Sequence, residues 1–292
     1  MGESQIVLRT EPGQPVLKQF RSSDGYDWYY RHYQAAGTPH SYLVVIHGIQ
    51  SHGGWYTRSC AEFAKAGHDV YFLDRRGAGL NRHQRGDLPG FRRVLDDYAE
   101  FLLALPQNNV PRYLAAISWG GKLGLALPYR HPGLIQGLAL LCPGFFSIVQ
   151  PKLVTRARIA FSRIFWPTRS FPIPLNDPQL FTGDPAAARF IHEEPLGLRS
   201  ASARMLFSSF ALDIYLRRAS KHARIPLLLL LAGREKIINN ERTRAFFASL
   251  PASRKEVIYY TDAHHTLEFE GPQHPFTKDI LKWFGQLNQN IK

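Results

Sequence analysis

The chemistry most legible in this chain is that of a serine nucleophile. Tyr113-Leu114-Ala115-Ala116-Ile117-Ser118-Trp119-Gly120-Gly121-Lys122-Leu123 reads as a strand, a sharp turn and a helix, with Ser118 at the turn. A nucleophile held there needs a strained backbone, tolerable only where the residues two before and two after the serine are small. Ala116 and Gly120 meet that need, although the usual pattern is G-x-S-x-G and Ala116 stands in for its first glycine. On this segment alone, a serine N-cap opening an ordinary helix is an equal reading.

Acyl transfer at a serine needs three further groups. The oxyanion needs two preorganised N–H donors, commonly from the residue after the nucleophile and from a loop after a neighbouring strand. His47-Gly48-Ile49-Gln50-Ser51-His52-Gly53-Gly54-Trp55 follows the apolar run Leu43–Ile46, which makes the amides of Ile49 and Trp119 the candidates and His47 and Gly48 candidate substrate contacts. A base must take the hydroxyl proton, and the loop after the last strand offers His264 and His265. An acid must hold the imidazole tautomer. Glu235 is the first carboxylate after the penultimate strand, and Asp262 is its competitor only three residues before His265. No Cys or His metal spacing is present, and this chemistry calls for neither metal nor organic cofactor.

These residues need a scaffold that brings strand ends together. Strands are expected at 26–33, 42–46, 70–73, 113–117, 138–141, 227–231 and 256–260. Helices are expected at 55–66, 91–105, 120–129, 241–250 and 276–287. That alternation predicts an α/β fold with a mostly parallel sheet between helices. About eighty residues without a clear strand separate Leu141 from Leu227. A structureless loop of that length is improbable in a compact domain, so an inserted helical lid is expected. The expected division is a core of residues 1–144 and 220–292 carrying a cap of residues 145–219.

The order Ser118, Glu235, His265 resembles that of the α/β-hydrolases, in particular the monoacylglycerol lipase and lysophospholipase branch that is grouped with serine aminopeptidase-type hydrolases. The similarity covers most of the chain: the His47-Gly48 turn, Asp74-Arg75-Arg76-Gly77-Ala78-Gly79 as the D-x-x-G-x-G turn, the Ser118 elbow, the lid, Gly233-Arg234-Glu235 and His265-Thr266-Leu267. The resemblance implies an α/β-hydrolase fold. It implies His265 as the base, because an apolar residue, here Leu267, follows it by two, and Glu235 where the family usually has Asp. Asp74 falls in a turn used structurally, and Glu268 is expected to brace the histidine loop. The implied activity is hydrolysis of lipid-like esters through an acyl-enzyme. A serine aminopeptidase-type peptidase and a non-catalytic hydrolase-fold binding protein are the alternatives.

Phe145, Phe146, Phe207 and Phe210, with Met205 and Leu206, are candidates to line an acyl channel. At 100° per residue, Leu153, Ala157, Ala160, Phe161 and Ile164 share one arc of the first lid helix, and Lys152, Arg156 and Arg163 share another. Such a helix either turns its apolar arc toward the acyl channel or rests on an anionic membrane surface.

Composition bounds the rest. With 292 residues, 45% hydrophobic, the chain can build a large core. Two cysteines, Cys60 and Cys142, suit a reducing, cytoplasmic setting with peripheral membrane contact open. Met1–Gln5 show no leader pattern, and the longest apolar run, Leu227–Ala232, is far short of the roughly 20 residues of a membrane span. The formal charge of +13 concentrates in residues 150–225, with twelve basic and five acidic side chains, and in residues 74–93, with six and two. Without an aromatic-basic interleaving or a known motif, that charge does not indicate nucleic acid; an anionic lipid surface is the expected partner, and monomer and homodimer stay open.

Overall fold

A computed structural model describes residues 13–289; the segment Met1–Gln5 lies outside them. The strands are β1 (Pro15–Arg21), β2 (Asp27–Tyr33), β3 (Ser41–Ile46), β4 (His68–Leu73), β5 (Arg112–Ile117), β6 (Gly137–Leu141), β7 (Ser170–Pro172), β8 (Ser200–Ser202), β9 (Leu227–Ala232) and β10 (Lys255–Tyr260). The helices are α1 (Thr57–Lys65), α2 (Phe91–Ala104), α3 (Trp119–Arg130), α4 (Leu153–Phe165), α5 (Pro185–Glu193), α6 (Ala203–Ala219), α7 (Asn240–Ser249) and α8 (Phe276–Gln289).

Eight strands form one sheet in the order β1-β2-β4-β3-β5-β6-β9-β10, in which only β2 runs against the rest. Every residue of β3, β6 and β9 is buried, because helices cover both faces. That is why these strands appear in the sequence as unbroken apolar runs rather than alternations. The edge strand β10 alternates instead.

Register positions the loops. Ile46 of β3 pairs with Ala116 of β5, so the loop opened by His47 leaves the sheet beside Ser118. Tyr260 of β10 pairs with Ala232 of β9, so the loops carrying Glu235 and His265 also leave side by side. The chain runs from β3 out to β4 and returns to β5 on the other side of β3. This reversal opens a crevice at the carboxyl ends of the strands, where α/β sheets bind ligands.

Two features differ from the sequence expectation. Strand β1 is additional; its mostly exposed PVLKQFR shows no clean alternation, and a leading proline is tolerated because this is a sheet edge. The insertion between β6 and β9 holds α4, α5 and α6, as a helical lid requires, and also a two-stranded ribbon, β7 with β8.

Three polar anchors fasten the insertion to the sheet. Asp87 takes bonds from Ser202 (2.6 Å) and Arg204. Arg85 donates to the carbonyls of Leu196 (2.7 Å) and Gly197 (3.1 Å). Glu194 meets the His52 ring (3.0 Å) and accepts from the Trp55 indole (3.1 Å) and the Leu196 amide (2.8 Å). Burial pushes the Asp87 and Glu194 carboxyls up, but these bonds outweigh it and hold both below their ordinary values. A folded value below the unfolded one adds stability above the unfolded carboxylate value, about 4, which is lost as pH falls through the folded value. Melting temperature should therefore be level from about pH 7 to 5 and drop below about pH 4. Asp87→Asn should lower it by about 3–6 °C at pH 7 and shrink that acid drop, read by thermal melts across pH.

Candidate active site

Ser118 stands between β5 and α3 with φ 52° and ψ −121°, a conformation unfavourable for any residue with a Cβ. Its neighbours explain how the turn is tolerated. A Cβ at Gly120 would lie 2.6 Å from the carbonyl oxygens of Ile46 and His47, so only glycine fits against β3. Ala116 replaces the pattern's first glycine because Gly124 leaves room opposite: a Cβ there would fall 2.7 Å from the Ala116 methyl. The elbow is held by Ser118 N–H donating to Leu141 O (2.9 Å) and by Ser118 O accepting from Gly144 N–H (2.7 Å).

From Ser118 an unbroken hydrogen-bonded chain runs inward. Ser118 Oγ is 2.9 Å from His265 Nε2, and His265 Nδ1 is 2.7 Å from Glu235 Oε2. The His265 and Glu235 side chains are 2% and 1% exposed. Glu235 Oε1 accepts from the Ile237 amide (2.7 Å), which fixes the carboxylate plane. The two loops close on each other because Thr261 O occupies the place of a Cβ on Gly233, a contact only glycine permits, and Arg234 N–H donates to Ala263 O (2.9 Å).

The competitors lie elsewhere. Asp262 is 82% exposed and paired with Arg234, and His264 is taken by Glu270. Asp74 accepts from the amides of Gly53 and Leu80 and from Arg31, so it fixes turns. Buried Glu268, its carboxyl raised by that burial, accepts from the Arg58 and Ser59 amides and ties the histidine loop to the start of α1.

The loop after β3 is braced from behind. His47, fully buried, donates from Nδ1 to Gly48 O (2.8 Å) and accepts at Nε2 from Arg75 N–H (3.0 Å). Burial, and after it the Arg75 charge, pushes the ring far below its ordinary value and keeps it neutral. With both nitrogens engaged and no exposed surface, His47 is a brace; this corrects its expected place as a substrate contact. Arg75 donates to Gly48 O (3.3 Å) and Ile49 O (2.6 Å) and lies 5.1 Å from the Trp119 ring, and burial brings its value down to about 10. Since a trans peptide sets C=O and N–H in opposite directions, pinning Gly48 O to His47 and Arg75 turns the Ile49 N–H away from that scaffold. Neither the Ile49 nor the Trp119 N–H finds an acceptor in a loop, turn or cap among the described residues. Gly48 abuts the serine, a Cβ on it falling 3.3 Å from the Ser118 Cβ.

Over Ser118 lies a small cavity lined from the core by Gly48, Gln50, Trp55 and His265 and from the insertion by Leu175 and Phe181. The Phe181 ring stands 6.0 Å from that of His265, and its carbonyl accepts from the Thr266 amide. Neither Leu175 nor Phe181 was expected here, since their Pro-punctuated stretch carries no periodicity.

None of the expected channel residues is in the lining of this cavity. Phe145 and Phe146 pack edge-on against Phe246 of α7. Helix α6 buries Met205, Ser208, Leu212 and Leu216, spaced three and four apart, which turns Phe207 and Phe210 outward; Phe210 is 57% exposed. These two are surface residues in this closed arrangement, not lining. Helix α4 is likewise reversed from one expectation: it buries Ser162, and Ile159 against Phe171 and Ala203, while Leu153, Phe161 and Ile164 face outward.

Cys142, at φ 42°, was not anticipated either. It is buried beside Glu235, its thiol pushed well up by burial and then by that carboxylate. Ligand atoms of Cys142, Glu235 and His265 lie within 4.8 Å of one another. Both ring nitrogens of His265 are already engaged with Ser118 and Glu235, so a metal could bind there only by dismantling the chain.

The sheet order, the strained serine at the end of β5 and the loops after β3, β9 and β10 together define an α/β-hydrolase. The family model described as serine aminopeptidase, S33, matches residues 37–272, and the chain belongs to that family. Rat (Rattus norvegicus) monoglyceride lipase is 21% identical over 284 residues, 94% of this chain and 91% of the relative. Among solved structures, the monoacylglycerol lipase of Paleococcus ferrophilus superposes with a TM-score of 0.80 at 23% identity, covering 90% of this chain and all of that one. A soluble variant of the Saccharomyces cerevisiae monoglyceride lipase, in complex with a substrate analogue, gives 0.77 at 18% identity, covering 96% and 97%.

Proposed function

We propose that the protein is a serine carboxylester hydrolase acting on lipid-like esters of the monoacylglycerol or lysophospholipid type. The observation that carries this reading is the unbroken chain Glu235–His265–Ser118, with the serine strained at the crevice. Residues 145–219 act as a cap over the core formed by 1–144 and 220–292.

Ser118 Oγ attacks the ester carbonyl carbon while His265 Nε2 takes its proton, and the carbonyl oxygen becomes an oxyanion held by the Ile49 and Trp119 N–H groups. Glu235 holds the imidazole tautomer and offsets the imidazolium charge. As the carbon–alkoxide bond breaks, His265 returns the proton to the departing oxygen and the alcohol leaves an acyl-serine. Water then attacks that acyl carbon, its proton passing through His265 to Ser118 Oγ, and the fatty acid is released.

Among the described residues, the cavity lining carries no carboxylate to hold a peptide's α-ammonium group, which favours the ester reading over the peptidase one. Two measurements test it: labelling by a fluorophosphonate probe and a p-nitrophenyl ester chain-length series, followed by monoacylglycerol and lysophospholipid assays. An unlabelled, inactive protein would turn the reading to a hydrolase-fold binding protein.

The cap is proposed to rest on anionic lipid. No helix among the described residues is long and apolar enough to cross a membrane. Leu153, Val154 and Ile164 of α4 are 81%, 72% and 73% exposed, flanked by exposed Lys152, Arg156 and Arg158. The arginines of 74–93 contribute less than their number suggests, because Arg75 and Arg76 are buried and Arg76 is paired with Asp24 and Asp97. Vesicle flotation should show binding that rises about fivefold or more with anionic lipid, falls with salt, and weakens in Leu153→Glu. Binding indifferent to both lipid charge and salt would remove this role.

A further inference from the structure

Resting on the ester-hydrolase reading, we infer that Gln50 is a specificity-determining residue that hydrogen-bonds the leaving alcohol and selects an uncharged, hydroxyl-bearing alcohol over a phosphorylated one. Gln50 is 2% exposed, and neither its amide nitrogen nor its amide oxygen has a hydrogen-bond partner among the described residues. Burying an amide without a partner is costly, so such a group in a native fold calls for an explanation.

Its place in the fold supplies one. Gln50 immediately follows Ile49, the oxyanion candidate, and lines the cavity shared by Ser118 and His265. Other polar side chains of that lining are already committed: the Trp55 indole to Glu194, the Tyr56 hydroxyl to Ser51, and His265 to Ser118 and Glu235. Gln50 adds to that lining a carboxamide whose donor and acceptor atoms are both unpartnered among the described residues. The backbone carbonyl of Gln50 accepts from Leu198 N–H of the insertion (2.9 Å), which ties the residue to the segment that covers the cavity.

The chemistry of the pair sets the ligand class. A carboxamide offers two N–H donors and a carbonyl acceptor, and complements hydroxyls, which both donate and accept. A phosphate only accepts, and is matched by Arg or Lys. Among the described residues the lining holds neither; the cap's exposed basic residues on α4 lie on its outer surface. A site built to pair a substrate hydroxyl also discriminates strongly against an ester that lacks it, because the amide then stays buried and unpaired.

The test compares three esters of one acyl chain: the 1-monoacylglycerol, the methyl ester and the lysophosphatidylcholine. Wild-type kcat/KM should favour the monoacylglycerol over each of the others by about tenfold or more, and in Gln50→Met the monoacylglycerol-to-methyl-ester ratio should fall at least tenfold. A wild-type ratio near one, a ratio unmoved in Gln50→Met, or a preference for the lysophospholipid overturns the inference. The wild-type comparison decides even if Gln50→Met fails to fold. Failure of the underlying reading looks different: no ester of any kind is turned over and Ser118 is not labelled by the fluorophosphonate.

Discussion

Ser118→Ala should lower p-nitrophenyl ester turnover by about 10⁴–10⁶-fold and abolish fluorophosphonate labelling, while leaving the melting temperature within a few degrees of wild type. The size follows from the arrangement. Ser118 Oγ is the only oxygen of the Glu235–His265–Ser118 chain that faces the cavity as a nucleophile, and without it the imidazole has only water to activate. Residual activity above the uncatalysed rate would come from the oxyanion donors and from binding, which act whether or not the serine is present. A variant that keeps more than about a tenth of wild-type turnover would sink the acyl-enzyme mechanism.

Glu235→Gln is the second large effect, expected to cut kcat by about 10³–10⁴-fold. The amide preserves size, but it can present an N–H to His265 Nδ1 and favour the tautomer whose proton sits on Nε2, facing Ser118, where a base is needed. It also removes the charge that offsets the imidazolium. Asp262→Asn should stay within about twofold of wild type, because Asp262 is a solvent-exposed partner of Arg234 and surface pairs of that kind contribute little. Steady-state kinetics on the two variants decide the matter, and equal losses would remove Glu235 as the acid.

The resemblance of the site to a serine hydrolase was legible because each part has a local signature. A strained turn demands small neighbours, and Ala116 and Gly120 flank Ser118 in the sequence itself. Fully buried parallel strands demand unbroken apolar runs, and Leu227–Ala232 is one. The choice between Glu235 and Asp262 was not local. It depends on which carboxylate the pairing of β9 with β10 delivers to His265, and Asp262, though closer in sequence, is carried outward. The substitution of Ala for glycine at 116 likewise acquires its reason only from Gly124, across the turn on the following helix.

The cap shows the same division more sharply. Periodicity identified a helix at 152–165 with an apolar and a basic arc, but an arc does not say what it faces; Phe171 and Ala203 cover Ile159 and leave Leu153 and Ile164 outside. The same holds for Phe207 and Phe210, turned out by the face α6 offers to α3, and for Gln50, whose isolation is a property of everything around it. What the chain determined by itself was most of the core strands and helices and the order of its reactive groups, because turn strain and hydrophobic period act within a few residues. Which carboxylate reaches the imidazole, which helical face is covered and which buried amide lacks a partner were decided by packing, because each depends on atoms brought together from distant parts of the chain.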